Sequence, residues 1–329
     1  MATIFHPDPL RAAHFLVAIA VGDAYGAATE FVEANDPVIE KALAFEDYQQ
    51  NPRYPDLKPG RYTDDTQMTI AVAETLAAGK RRVGQRFDVK LADSFVRVFR
   101  RDPRNGYARR FQKLMNEVVD GHELMTRLHG NNRSDKAGAA MRAIPLGVCS
   151  DVPELMQRAH YNAQITHCTA PGIASSQAVA LMAHFARYTD NPFGELPQFV
   201  AREFSEPSHA RIVQLPYEER VADLVNGYKP GDRDGAAVGM GLLTVRAALT
   251  VLGKVDVTRD DVMQQALTLI IKQGGDTDTV AAIVCGVLAL RGYPITPAWL
   301  ERRLENGRYG TDYLHSLGAR LLASPAAYP

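Results

Sequence analysis

The chain has 329 residues, 46% of them hydrophobic and 23% charged, a globular composition with enough apolar material for a sizeable core. Its 37 Lys and Arg against 38 Asp and Glu leave a net charge of −1, which excludes the broad basic field of a nucleic-acid binder and a polybasic membrane patch. Three cysteines, Cys149, Cys168 and Cys285, are odd in number and widely spaced, which excludes a disulfide framework and a zinc pattern.

The N-terminus lacks a basic segment followed by a clean apolar one, and the longest apolar run, Val280 to Leu290, is too short to span a bilayer. A soluble, cytoplasmic protein is expected. Helical spacing starts at about Pro9 and runs to Val21, where Gly22-Asp23 should stop it. The next helix is expected over Thr66–Ala78, with Gly79 as its C-cap. Phe87–Arg101 and Ala108–Asp120 have amphipathic spacing, and Asp102-Pro103-Arg104-Asn105-Gly106 forms the turn between them. Ala137–Ile144 is a small-residue helix ended by Pro145. Helices are also predicted over Val152–Ala163, Pro171–Tyr188, Pro216–Val225, Ala237–Leu252, Arg259–Lys272 and Thr279–Arg291. Period-two alternation is almost absent, so the expected fold is all-α. No linker divides residues 1–329, and a Pro-rich stretch from Asp190 to Asp234 is expected as an insertion on one domain. Arg81, Arg82 and Arg86, and Arg97, Arg100, Arg101 and Arg104, are expected to form solvated basic faces.

Two four-residue blocks about 210 residues apart carry the chemistry: Thr63-Asp64-Asp65-Thr66 and Asp276-Thr277-Asp278-Thr279, the second preceded by Gly274-Gly275. Each holds two carboxylates and two hydroxyls, an oxygen-only set suited to hard cations such as Mg²⁺ or Mn²⁺. Either block alone is accounted for by helix capping. A cap needs one carboxylate, however, and each block has two. If the fold joins the blocks, four carboxylates meet, and without metal such like charge is costly or forces protonation. Gly274-Gly275 allows the sharp turn that points Asp276 and Asp278 to one side. Trp299, Tyr107, Phe111 and Tyr188 are expected in the core or on a rim.

Gly22-Asp23-x-x-Gly26-x-x-x-Glu30, Thr63-Asp64-Asp65-Thr66 and Gly274-Gly275-Asp276-Thr277-Asp278-Thr279 resemble, in order and spacing, the signature blocks of the ADP-ribosylglycohydrolase family. That all-α, binuclear-metal family includes the ADP-ribosyl-arginine hydrolases. Gly138-Ala139-Ala140-Met141-Arg142 resembles its substrate loop, and Thr166-His167 its Thr-His block. The resemblance runs from about Ala18 to Tyr293. It implies that Thr63, Asp64, Asp65, Asp276, Asp278 and Thr279 hold two Mg²⁺ (or Mn²⁺) ions. It implies that Glu30 is the catalytic acid or base, with Asp65 as second choice. Substrate contacts fall on Gly138, Ala139, Ala140, Met141, Arg142 and His167. The chain departs from the family at Ala137, where Asn is usual, which removes an amide from the ADP-ribose contacts. The implied reaction frees ADP-ribose from a mono-ADP-ribosylated side chain, arginine first, or from a free ADP-ribose derivative. A rival reading is a binding or immunity module that masks an ADP-ribosyltransferase or its target, using the insertion or the arm Met1–Pro9.

Overall fold

The computed structural model describes residues 8–79, 86–214 and 239–323. Its helices are α1 (Phe15–Gly26), α2 (Pro37–Leu43), α3 (Asp64–Ala77), α4 (Phe87–Arg101), α5 (Arg109–Glu117), α6 (Gly121–Leu128), α7 (Val152–Gln164) and α8 (Ala170–Tyr188). They continue as α9 (Leu196–Arg202), α10 (Pro207–Gln214), α11 (Met240–Lys254), α12 (Val262–Gln273), α13 (Thr277–Arg291), α14 (Trp299–Arg303) and α15 (Thr311–Leu322). No strand occurs among the described residues; one isolated bridge pairs Arg133 with His167.

Two helices that are apolar all round form the centre. Every residue of α1 is buried, and α13 is buried from Thr277 to Leu290. The two lie backbone against backbone. A Cβ on Gly22 would sit 2.3 Å from the carbonyl oxygen of Ala281, and one on Gly26 would sit 2.4 Å from that of Thr277. This contact corrects the expected end of the first helix. Gly22 and Gly26 do not break α1; they are four residues apart, on one face, where only glycine admits the neighbouring backbone. The same helix starts later than its periodicity suggests, because Pro9–His14 forms a 3₁₀ turn capped by Asp8. By length and hydropathy Leu10–Thr29 would suit a membrane span, but 89% of its most apolar window is buried inside the protein.

Around this pair, α3, α8, α11, α12 and α15 present apolar faces to the core. On α4 that face is Leu91, Ala92, Phe95, Val96, Val98 and Phe99. Residues Ala137–Ile144 are not an α-helix. They form 3₁₀ turns at Ala137–Ala139 and Ile144–Val148 with a non-helical turn between, and Pro145 sits inside the second. Gly138 and Pro145 leave too short a stretch to repay helix nucleation.

The arginine faces are solvated in part: Arg86, Arg97 and Arg100 are exposed, whereas Arg101 is half-buried and Arg104 is buried. Glu74 binds Arg97 at 3.1 Å and also Arg101; Arg100 donates to the carbonyl of Val118 at 2.9 Å; Arg104 is buried between Asp102 and Glu305. Arg86 pairs with Asp88 at 2.7 Å, while Arg81 and Arg82 lie outside the described residues. The described part of the expected insertion buries Phe193, Leu196 and Val200, and the rings of Phe193 and Phe199 lie against Phe185 of α8. The expected helix Pro216–Val225 lies outside the described residues.

Candidate active site

The end of α1 is the pedestal on which both acidic blocks stand. Asp23, fully buried, accepts hydrogen bonds from the amide of Thr63 at 2.9 Å, its hydroxyl at 2.8 Å, and the amide and hydroxyl of Thr66 at 3.0 and 2.6 Å. The first block is thereby wrapped around one carboxylate. Burial pushes the Asp23 pKa up even against these four donors. The second block is held one turn further along: the hydroxyl of Thr277 donates to the carbonyl of Gly26 at 2.7 Å, and Thr29 donates to Thr277 at 3.1 Å. Asp23 and Gly26 thus place the start of α3 beside the start of α13.

Capping does not explain either block. Thr63 occupies the N-cap position of α3 and Asp276 that of α13, yet neither side chain accepts a capping hydrogen bond. The Thr63 hydroxyl is committed to Asp23 instead. The backbone turn before α13 is made by Gly274 and Gly275 at φ of 70° and 84°, as their sequence suggests.

The carboxylates converge. Oxygens of Glu30, Asp276 and Asp278 lie within 4.8 Å of one another. Asp65 is buried with one oxygen that has no hydrogen-bond partner. Burial and neighbouring carboxylates push the acids upward: Glu30 and Asp64 to about 8, Asp65 and Asp278 well above the ordinary range. For Glu30 the main neighbours are Asp276 and Asp64, and for Asp278 they are Glu30 and Asp65. Thr279 stands beside Asp65 and Asp276, where it favours their charged forms against burial. Oxygen donors alone, an unsatisfied buried oxygen and uncompensated negative charge fit hard divalent cations.

These residues floor a cavity of about 1300 Å³. Its other wall contains Gly138, Met141, Arg142, Thr166 and His167. The ring of His167 covers Gly138, where a Cβ would lie 2.8 Å from the imidazole. The His167 ring also shares a 2.7 Å hydrogen bond with Thr166, and burial lowers its pKa to about 3, so it is neutral at physiological pH. Arg142 is 1% exposed, and its guanidinium is committed to the side chain and carbonyl of Asn162, each at 2.8 Å, and to Thr166 at 2.7 Å. It holds this wall from behind. Ala139 and Ala140 are fully buried and do not line the cavity, so the structure does not bring those two expected contacts to it. Ala137 does line it.

Of the four aromatics singled out in the sequence, Tyr107 and Phe111 reach the cavity, with ring centroids 5.8 Å apart. Trp299 packs against Tyr25 and Tyr48, and Tyr188 donates to the carbonyl of Val148, both away from the cavity. Arg53, Arg110, Arg133 and Lys136 also line it.

Sequence reasoning gave Asp23 no role beyond its motif, although a lone acid in an apolar helix was the available signal. It gave no sign of Asn51, whose buried amide donates to the carbonyls of Ala27 at 2.7 Å and Glu30 at 3.2 Å. Nor did it show that Gly106, at φ 109°, lies so close to Asp64 that a Cβ would be 2.0 Å from its carboxylate.

The family model ADP-ribosylglycohydrolase matches residues 6–328. The chain is 26% identical to the ADP-ribosylarginine hydrolase Tri1 of Serratia proteamaculans, over 89% of this chain and 75% of that one. It is 25% identical to the ADP-ribosylhydrolase ARH3 of Mus musculus, over 68% of this chain and 67% of that one. An uncharacterized protein of Archaeoglobus fulgidus is 24% identical over 93% of this chain and 94% of its own length. Among solved structures, a chain of an ADP-ribosylglycohydrolase-related protein complex superposes with a TM-score of 0.67 at 22% identity, covering 95% of this chain and 97% of that one.

Proposed function

This chain belongs to the ADP-ribosylglycohydrolase family and is a glycohydrolase; from that premise we propose that it removes ADP-ribose from a modified protein side chain, arginine first, with Mg²⁺. The carrying observation is the meeting of Glu30, Asp64, Asp65, Asp276 and Asp278 on the floor of one large cavity. Two Mg²⁺ ions, or Mn²⁺, would be held by Thr63, Asp64, Asp65, Asp276, Asp278 and Thr279. Bound there, they would supply charge neutralisation and orient ribose hydroxyls and water. Arginine is favoured as the linkage because the Serratia relative is named for it.

Hydrolysis breaks the bond between ribose C1″ and the side-chain nitrogen and joins C1″ to the oxygen of water, through an oxocarbenium-like transition state. Glu30 takes the proton of that water and gives it to the leaving nitrogen as the C1″–N bond breaks. Without metal, burial and the carboxylates of Asp276 and Asp64 raise the Glu30 pKa to about 8; cations bound beside it would lower that value toward the range in which it can accept a proton. Two hydrogen bonds hold the Glu30 backbone in place: Asn51 donates to its carbonyl, and the next amide, of Phe31, donates to Gly275 at 2.9 Å. Asp65 is the second choice as base, being more deeply buried among the acids. Gly138, Met141 and His167 shape the wall against the ribose. The cations at the cavity lining face the pyrophosphate, and Phe111 offers a surface for the adenine.

The test is release of free ADP-ribose from an arginine-ADP-ribosylated protein with Mg²⁺ and with EDTA. Release that needs Mg²⁺ is expected. Release that persists in EDTA overturns the metal assignment, and release only from a serine-linked or free substrate overturns arginine.

A further inference from the structure

We propose that His14, Glu301 and His315 form a second cation site, of the zinc class, apart from the acidic cleft. One ligand atom from each lies within 4.8 Å of the other two. The three come from chain ends nearly 290 residues apart: His14 from the residue before α1, Glu301 from α14 and His315 from α15. The Nε2 of His315 is 2.6 Å from Oε1 of Glu301, and the two imidazoles meet edge to face with centroids 4.1 Å apart. None of the three lines the cleft.

The donor set decides the cation. Two imidazole nitrogens and one carboxylate oxygen suit Zn²⁺, whose nitrogen and oxygen bonds are about 2.0–2.2 Å, whereas Mg²⁺ prefers the oxygen-only set of the cleft. A cation bound here replaces the proton now shared by Glu301 and His315. The side chains of His315 and Glu301 are 30% and 29% exposed, which leaves a route from solvent and a fourth position for water. Arg11 acts electrostatically on His14, but its guanidinium lies 3.8 Å from the carboxylate of Asp8.

Occupancy would tie the start of α1 to the last two helices. It would therefore act on stability, because a ligand that binds only the folded chain shifts the unfolding equilibrium. The experiment uses the full chain, stripped by chelator and returned to saturating Mg²⁺ so that the cleft is occupied. Zn²⁺ is then titrated while the melting temperature and stoichiometry are read, and Co²⁺ is used in parallel for its visible d–d bands. One equivalent should bind, raise the melting temperature and give imidazole-type Co²⁺ bands. His14→Ala and His315→Ala should each weaken binding by about tenfold or more, while Asp278→Ala should leave it intact. Absence of a shift, or binding that survives both histidine variants, overturns the proposal. Should His315→Ala not fold, Glu301→Gln keeps the size and a hydrogen bond but loses the anionic ligand. Unaltered Co²⁺ bands in that variant overturn the proposal equally.

Discussion

The two walls of the cleft are built on opposite rules. On the substrate-loop wall almost every buried polar group has its partner: Arg142 with Asn162 and Thr166, Asn162 with Ser176 and the carbonyl of Ala139, His167 with Thr166. On the acidic wall carboxylates face carboxylates, and an oxygen of Asp65 has none. The boundary between the rules is sharp. Asp23 is as buried as Asp65 and sits one helix away, yet four donors saturate it. Satisfied polar groups give shape and rigidity; unsatisfied ones mark where a ligand completes the structure.

The largest expected effect separates the walls by the sign of a stability change. Asp64→Ala or Asp278→Ala should lower turnover by about a thousandfold or more and weaken Mg²⁺ binding. In EDTA the same variants should melt higher than the parent, because one of several repelling charges has gone. Arg142→Ala should do the reverse on melting, costing about 3 kcal/mol or more by taking the buried donor from the side-chain oxygen and carbonyl of Asn162 and from the Thr166 hydroxyl. Full activity in Asp278→Ala, or unchanged stability in Arg142→Ala, would erase the contrast.

Glu30→Gln sharpens the comparison within the acidic wall. Turnover should fall by about a hundredfold or more while Mg²⁺ still binds, separating the proton-transfer carboxylate from those that hold metal. Unchanged rates would remove Glu30 from that role.

The pH dependence of metal-free stability follows from the raised acids. An acid whose pKa rises on folding holds more protons folded than unfolded between its ordinary and raised values. Stability then falls as pH climbs through that window, from about 4 to about 8 for Glu30 and Asp64. In EDTA the protein should melt higher near pH 5 than near pH 8, and Mg²⁺ should close most of that gap. A melting temperature that rises with pH across the window would show that the acids are already compensated within the chain.

The smallest effect lies at the rim. Phe111→Ala should raise KM a few-fold with little change in kcat, since stacking on a remote adenine binds ground and transition states alike. An equal loss in kcat would move Phe111 nearer to the chemistry.

Much of the fold was legible locally. Phe87–Arg101 was placed to the residue because one amphipathic stripe repeats at helical spacing along it. Local signals failed where a distant backbone decided the outcome. Gly22 read as a helix stop, yet Gly22 and Gly26 are the seam between α1 and α13. The arginines of α4 and the turn after it read as a solvated face, and Arg97 and Arg100 are exposed, but Glu74 and Glu305, distant in sequence, take up Arg101 and Arg104.

The sequence by itself determined the all-α class, the oxygen-rich character of the two blocks and the turn that Gly274-Gly275 makes, because each depends on residues within a few positions of one another. Only the tertiary structure decided that the acidic blocks share one floor, that Asp23 is their common anchor, that Arg142 is a strut and that Ala139 and Ala140 face away. Those outcomes depend on pairs of residues up to about 250 positions apart, and whether a buried charge is satisfied is fixed by what the fold brings against it.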